Sequence, residues 1–289
     1  MNDISDLTAL VVHLQSLADG ALPLTNGHLA HAAFLKMAAS FSPPFADTLH
    51  NCIQERPFTL SDIRAQNHKR ENDHKNHQEK PVIFVAAKAR FRIRITGLKS
   101  EISQYIPDII EQYRNTYLEI RRIPFRITDW DMTEHPRTGK ACYKDLQNEC
   151  LSTEPLLWFG WSFLSPTAIH SKGRNVVFPE PAALFPRLAA RWNCFCPEMC
   201  RIPYGNNKAF GDLVRHSLMP AANHIKTHML DFGPKGRQIG FTGYVEFLAA
   251  RSADPDILKI LHLLGRFSFF AGVGYATTKG MGQVDFILP

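Results

Sequence analysis

No stretch of this 289-residue sequence approaches the roughly 18 consecutive apolar residues that a membrane-spanning helix needs. A helical membrane protein is therefore not expected. The opening Met1-Asn-Asp-Ile-Ser-Asp is acidic, unlike a basic secretory leader, and a cytoplasmic location is expected. Cysteine is sparse and oddly spaced. None of the six (Cys52, Cys142, Cys150, Cys194, Cys196, Cys200) stands in the C-x-x-C pair of common zinc modules, and a reduced state is expected. Cys194-Phe-Cys-Pro-Glu-Met-Cys200 and the pair His224 and His228 leave two readings open: a metal site, or buried thiols beside solvated histidines. Acidic side chains are also short, 27 Asp and Glu against 33 Lys and Arg, for a formal charge of +6. That surplus suits a nucleic-acid binder. Residues 64–80 lack apolar side chains almost entirely and read as an exposed loop. Its His68, His74 and His77 are either solvated or ligands of metal or RNA.

What the sequence has is a globular apolar fraction of 45% and length for one large domain or two of ordinary size. Residues 7–17 read as a strand, with a short helix as the alternative. Thr25 or Asn26 stands where a helix cap belongs, before a helix over 27–39 with Leu29, Ala33, Phe34 and Met37 on its apolar stripe. His28 and His31 share one face of that helix. Ser42-Pro-Pro-Phe45 breaks it. A second short helix ends between His50 and Gln54, and Pro57 to Ser61 is extended. From Val82 to Leu98 the pattern is a strand. Lys88, Arg90, Arg92 and Arg94 alternate with Ala89, Phe91, Ile93 and Ile95, so every charge falls on one face. The stripe is either the wet face of a sheet or a phosphate-binding surface. An interrupted helix over 101–117, an extended run over 120–132 and a polar, irregular stretch over 133–153 follow. A buried strand over 156–164 leads into Thr167 to Arg174, a loop or hairpin presenting His170, Lys172 and Arg174. Then come a helix over 181–193, a loop-rich region over 203–229, a strand over 239–250 and a helix opened by Asp254-Pro255.

That last helix feeds Gly272-Val-Gly-Tyr-Ala-Thr-Thr-Lys-Gly280-Met-Gly282 and a strand over 283–288. The loop is not a dinucleotide fingerprint, because Thr277 stands where glycine is required and the helix precedes it. It is not a Walker A loop either, because Lys279 is followed by Gly280. This helix–glycine loop–strand unit resembles the glycine-rich loop of the RAMP superfamily of CRISPR-associated proteins. More closely, it resembles the branch that processes CRISPR repeat RNA, the sixth Cas family. The resemblance extends to Gly240-Phe-Thr-Gly-Tyr-Val-Glu-Phe, Gly265-Arg-Phe-Ser-Phe-Phe, Phe178-Pro-Glu-Pro, Phe185-Pro-Arg-Leu, Arg191-Trp-Asn and Arg56-Pro-Phe-Thr-Leu-Ser-Asp. It is weak over residues 64–155.

Each half reads strand, helix, strands, helix, strand, and the resemblance implies an α+β fold of two tandem ferredoxin-like (RRM-like, βαββαβ) domains, 1–150 and 151–289. It implies an endoribonuclease that binds CRISPR repeats in precursor RNA and cuts them by 2′-hydroxyl attack. No metal or organic cofactor is expected, and other Cas effector subunits are possible partners of a monomer or homodimer. Such a cut needs a base, an acid and a cation. In the family an active histidine comes from the first helix or the turn after it, which assigns His31 and His50 as base and acid, in either order. Arg174 is the candidate for the scissile phosphate, or an ordinary turn cation. RNA contacts are assigned to His28, Lys36, Arg90, Arg92, Arg94, Lys172 and the loop residues Gly272, Gly274, Lys279, Gly280 and Gly282. The alternative for the glycines is a purely structural tight crossover. Some relatives place a tyrosine and a lysine beside the histidine; here the equivalent region offers Leu35 and Lys36 and no tyrosine. The rival functions are a guide-RNA scaffold that does not cut and a metal enzyme built on Cys194–Cys200.

Overall fold

The computed structural model describes residues 5–50, 55–66, 82–171, 174–232 and 236–288, without the side chains of His50, His170, Ser171, Arg174 and Asn175. The first half comprises β1 (Leu7–Ser16), β2 (Gly20–Pro23), α1 (Gly27–Phe41), α2 (Pro43–His50), β3 (Phe58–Leu60), β4 (Arg64–Ala65), β5 (Val82–Val85), β6 (Arg90–Gly97), α3 (Ser100–Ser103), α4 (Ile106–Gln112), β7 (Tyr117–Ile120), β8 (Ile123–Asp131) and β9 (Gly139–Ala141). The second comprises α5 (Tyr143–Ser152), β10 (Trp158–Thr167), β11 (Ile169–Ser171), β12 (Arg174–Val176), α6 (Pro181–Phe195), α7 (Lys208–Ser217), β13 (Leu218–Asp231), β14 (Arg237–Ala249), α8 (Pro255–Ala271) and β15 (Val284–Ile287). Among the described residues no helix is long and apolar enough to cross a membrane.

The first sheet runs β3-β6-β1-β8-β7 and the second β13-β14-β10-β15. Counting the core strands of each half in chain order, both sheets read second-third-first-fourth, all antiparallel. This is the ferredoxin-like plan, built twice. β1 is central and covered on both faces, so its buried residues run almost without alternation. That is why its sequence reads equally as strand or helix.

Several expectations are corrected. Asn26 precedes α1 but does not cap it. Fully buried, it exchanges two side-chain hydrogen bonds with the backbone of Ile63, tying the helix start to the residue just before β4. The strand expected over 82–98 is two strands in different sheets, parted at Lys88, whose φ of 67° ends the extended run. The extended run over 120–132 begins as a tight hairpin, with Arg121 and Arg122 both left-handed (φ 51° and 66°) between β7 and β8. The stretch expected to be irregular over 133–153 contains α5. Its Tyr143, Leu146 and Cys150 are buried in the second core, so a boundary at 150 falls inside a helix. The loop-rich region over 203–229 is α7 and most of the long β13. Residues 67–80 of the polar loop, with His68, His74 and His77, lie outside the described residues.

The two halves meet at the C-terminal end of α8, where carbonyls have no partner within the helix. Side chains of the first half supply them. Arg94 Nη2 donates to Phe269 O (2.8 Å), and Thr96 Oγ1 donates to Phe270 O (2.9 Å) while accepting from Thr59 Oγ1 (2.6 Å). From α6, Arg191 Nη1 donates to Ala271 O at 2.6 Å. Cations at this end also oppose the negative pole of the helix dipole. The other end of α8 follows the sequence: Asp254 accepts from the Asp256 N–H and Pro255 occupies the first turn.

Candidate active site at the domain junction

The glycine-rich loop leaves α8 and folds back onto the first half. Gly272, Gly274, Gly280 and Gly282 all have positive φ, as does Ala276 at 56°. Two glycines decide the site. A Cβ on Gly280 would lie 2.9 Å from the Asp62 backbone nitrogen, and Gly280 forms a parallel bridge with Ser61. A Cβ on Gly27, the first residue of α1, would lie 2.0 Å from Lys279 O and 2.7 Å from Gly280 Cα. Backbone thus packs on backbone across the junction, which only glycine permits.

This contact brings the one-turn helix Thr277–Lys279 to the face of α1 that carries His31. His31 Nδ1 is 3.0 Å from Thr278 O. Its Nε2 is 2.9 Å from Arg56 Nη1, and its ring stacks on Phe58 of β3 at 5.7 Å and 18°. The hydrogens follow from the partners. A carbonyl only accepts, so Nδ1 carries the proton. A guanidinium only donates, so Nε2 presents its lone pair. His31 is therefore the neutral Nδ1-H tautomer, aimed by the second half's backbone and by the first half's Phe58.

The other expected residues are placed as follows. His28 lies one turn earlier on α1, half-buried, and Lys36 is exposed farther along it. His50 ends α2, with its side chain outside the described residues. Lys172 and the Arg174 side chain are likewise outside them. Lys279 is half-buried beside Thr278, while Gly272, Gly280 and Gly282 are buried and Gly274 partly so. The cationic stripe is not one open surface. Arg90 is exposed and Arg92 half-buried, with Nη1 at 3.0 Å from His135 Nε2. Arg94 is 5% exposed and spent on Phe269 O, Arg137 O and Gln283 Oε1. Its guanidinium is pushed well below its ordinary pKa, first by burial and then by Arg137. Arg92 and Arg94 line a cleft of about 240 Å³ with Arg64, His135 and Arg137. There burial, and then Arg92, lower the His135 pKa.

Sequence patterns missed Arg56 and the Thr278 carbonyl. The first precedes a proline in an extended segment, where periodicity gives no signal, and only its place in Arg56-Pro-Phe-Thr pointed to it. The second is backbone. A smaller cleft, about 160 Å³, is lined by Glu55, Arg187, Arg191, Gly272 and Gly274, with Arg191 Nε 3.3 Å from Glu55 Oε2. Among the described residues no three His, Cys, Asp or Glu side chains gather as a metal-binding set. Cys196 and Cys200 are buried and Cys194 is exposed. His224 stacks on Tyr244 and His228 bonds Thr242 along the β13–β14 ribbon.

Comparison with known proteins agrees with this architecture. A model described as CRISPR-associated endoribonuclease Cas6 matches residues 161–284, and one described as CRISPR Cas6 N-terminal domain matches residues 8–106. Among solved structures, a Cas6 product complex from Thermus thermophilus is 22% identical, with a TM-score of 0.75 over 98% of this chain and 100% of its own. A second Cas6 product complex is 21% identical, with a TM-score of 0.70 over 97% and 98%. A Cas6-related protein from Pyrococcus furiosus is 14% identical, with a TM-score of 0.59 over 97% and 98%. At these identities the structural likeness concerns the fold. No curated protein sequence matches. With its two halves matched in order by the two family models, and the glycine-rich loop inside the second match, the chain belongs to the Cas6 family of CRISPR-associated endoribonucleases.

Proposed function

We propose that this protein cuts precursor CRISPR RNA once within each repeat, without a metal, by attack of a ribose 2′-hydroxyl on the adjacent phosphate. The observation that carries the reading is the wiring of His31: a neutral imidazole with its proton fixed on Nδ1 and its lone pair on Nε2. That is the form a general base needs. Nε2 takes the 2′-hydroxyl proton, the 2′-oxygen bonds to phosphorus, and the bond from phosphorus to the 5′-oxygen breaks. The leaving oxygen takes a proton from a second acid, for which His50 at the end of α2 is the candidate. The products are a 2′,3′-cyclic phosphate and a 5′-hydroxyl. Arg174, Lys172 and Lys279 remain candidate phosphate ligands, with His28, Lys36 and the exposed Arg90 as further RNA contacts. The glycines act mainly by letting the loop reach α1. Relatives support the reading: matched Cas6 structures include product complexes, a substrate-mimic complex and a histidine-to-alanine variant.

The test is cleavage of labelled repeat RNA in excess EDTA, against the same RNA with one 2′-deoxy sugar before the cut. Cleavage of the first alone is expected. Cleavage of both, or loss of cutting in EDTA, overturns the mechanism. If neither is cut and both bind tightly, the protein is a guide-RNA scaffold.

A further inference from the structure

We propose that Arg56 is the group that binds the scissile phosphate, and that without RNA it serves as a latch on the lone pair of His31. The proposal rests on the reading of His31 as the base. Arg56 Nη1 donates to His31 Nε2 at 2.9 Å, so the lone pair that must take the 2′-hydroxyl proton is occupied. A base held this way does not react until its partner leaves. Arg56 has reason to leave. Among the described residues it makes no ion pair, and the adjacent carboxylate, Glu55, faces Arg191 instead. Its full charge is therefore directed at a neutral nitrogen. A phosphodiester is a far better partner for a guanidinium, accepting two parallel charge-assisted hydrogen bonds.

The exchange orders the chemistry. When the phosphate arrives, Arg56 turns to its oxygens and Nε2 is uncovered beside the same phosphate. The 2′-hydroxyl of the preceding ribose then has a base within reach. Nδ1 stays on Thr278 O throughout, so the ring does not turn with Arg56. Arg56 next faces the charge that grows on the phosphate oxygens as the 2′-oxygen bonds and the 5′-oxygen departs. An anion is thus required twice, to open the base and to be cut.

Single-turnover cleavage of labelled repeat RNA in EDTA separates the roles, with His31→Ala, Arg56→Ala and Arg56→Lys compared for rate, RNA affinity and thermal unfolding. Arg56→Ala is expected to slow the bound RNA by about 10²- to 10³-fold, the usual loss of one transition-state donor, while affinity changes by less than about tenfold. Added guanidinium ion is expected to restore part of that rate and none of the His31→Ala rate. Arg56→Lys is expected to fall between, keeping the charge and losing the fork. The latch is read by ¹⁵N NMR of His31. Its Nε2 resonance in RNA-free Arg56→Ala is expected to resemble that of the unaltered protein bound to the 2′-deoxy RNA. Cutting by Arg56→Ala at the unaltered rate, absence of guanidinium rescue, or an Nε2 resonance indifferent to Arg56 each overturns the proposal. If His31→Ala itself cuts normally, the reading of the base fails instead, and the two failures are told apart.

Discussion

His31 and His262 look alike in outline and differ in wiring. Each lies on a helix with its ring stacked on a phenylalanine of its own sheet: Phe58 at 5.7 Å and 18°, and Phe286 at 6.0 Å and 24°. His31 is half-buried, and both its nitrogens have partners drawn from distant parts of the chain. His262, on α8, is 7% exposed, and neither of its nitrogens has a hydrogen-bond partner among the described residues. A stacked helix histidine is therefore not in itself a site. What distinguishes the first is that the second half of the molecule reaches across to fix its proton.

The sharpest way to test the contrast is to remove each imidazole. His31→Ala is expected to lower single-turnover cleavage by roughly 10²- to 10⁴-fold, the usual range for a general base, with RNA affinity nearly unchanged. A loss within threefold would place the base elsewhere.

The contrast also depends on the loop that delivers Thr278. Gly280→Val adds a branched side chain at φ 86°, with its Cβ 2.9 Å from the Asp62 backbone. A non-glycine residue forced into such a conformation costs on the order of 1–3 kcal/mol, and the clash adds to it. The expected outcome is a melting temperature lower by several degrees together with cleavage lowered at least tenfold. The Nδ1 resonance of His31 should lose its hydrogen-bonded position. An unchanged Nδ1 would show that His31 does not depend on the docked loop.

Arg94 against Arg90 repeats the contrast between wired and open on one strand. Arg94→Met leaves the Phe269 and Arg137 carbonyls unserved at the junction, while Gln283 Oε1 keeps Arg137 Nη2 at 3.3 Å. Each buried group so orphaned costs about 1–3 kcal/mol, so denaturant unfolding should show a loss of several kcal/mol. Arg90→Ala should leave stability within about 0.5 kcal/mol. If repeat RNA crosses this face, the Arg90 change should also reduce the salt slope of binding by about one charge. Equal stability for the two variants would refute the account of the seam.

Much of this plan was legible in the sequence. Asp254-Pro255, the apolar stripe of α1 and the alternation over 90–97 each name their element because local chemistry decides them. The long β13 was not legible: both its faces are largely exposed, so Leu218–Asp231 has no alternation to read. α5 was missed because most of its side chains are polar and its three buried residues join the second core, most of which is built from residues later in the chain. At the site, His31 was legible as a residue type on a helix. Its partners were not, since one is a carbonyl 247 positions away and the other an arginine outside any periodic pattern. Alternation placed Arg94 on the charged face correctly. It carried no information on the end of α8, Arg137 and Gln283, which cover Arg94 there.

The smallest expected effect is on His262, and it concerns pH. Burial is the main cause that lowers its pKa. Arg266 lowers it further, and Glu149 acts in the opposite direction. In the unfolded chain the imidazole titrates near the ordinary value of about 6.5. Between that value and the lowered folded one, the unfolded state holds the extra proton, so stability falls as the pH drops through this window and is unaffected well above it. His262→Leu removes the titration and the two unpaired nitrogens together. Its melting temperature at pH 7.5 is expected to match or slightly exceed that of the unaltered protein, and the advantage should widen by about 1–3 °C at pH 5.5. Cleavage at pH 7.5 should not change, because His262 touches neither Arg56 nor Thr278. A pH slope identical in the two proteins would mean that the buried ring finds a proton partner when folded. The contrast with His31 would then be one of degree rather than of kind.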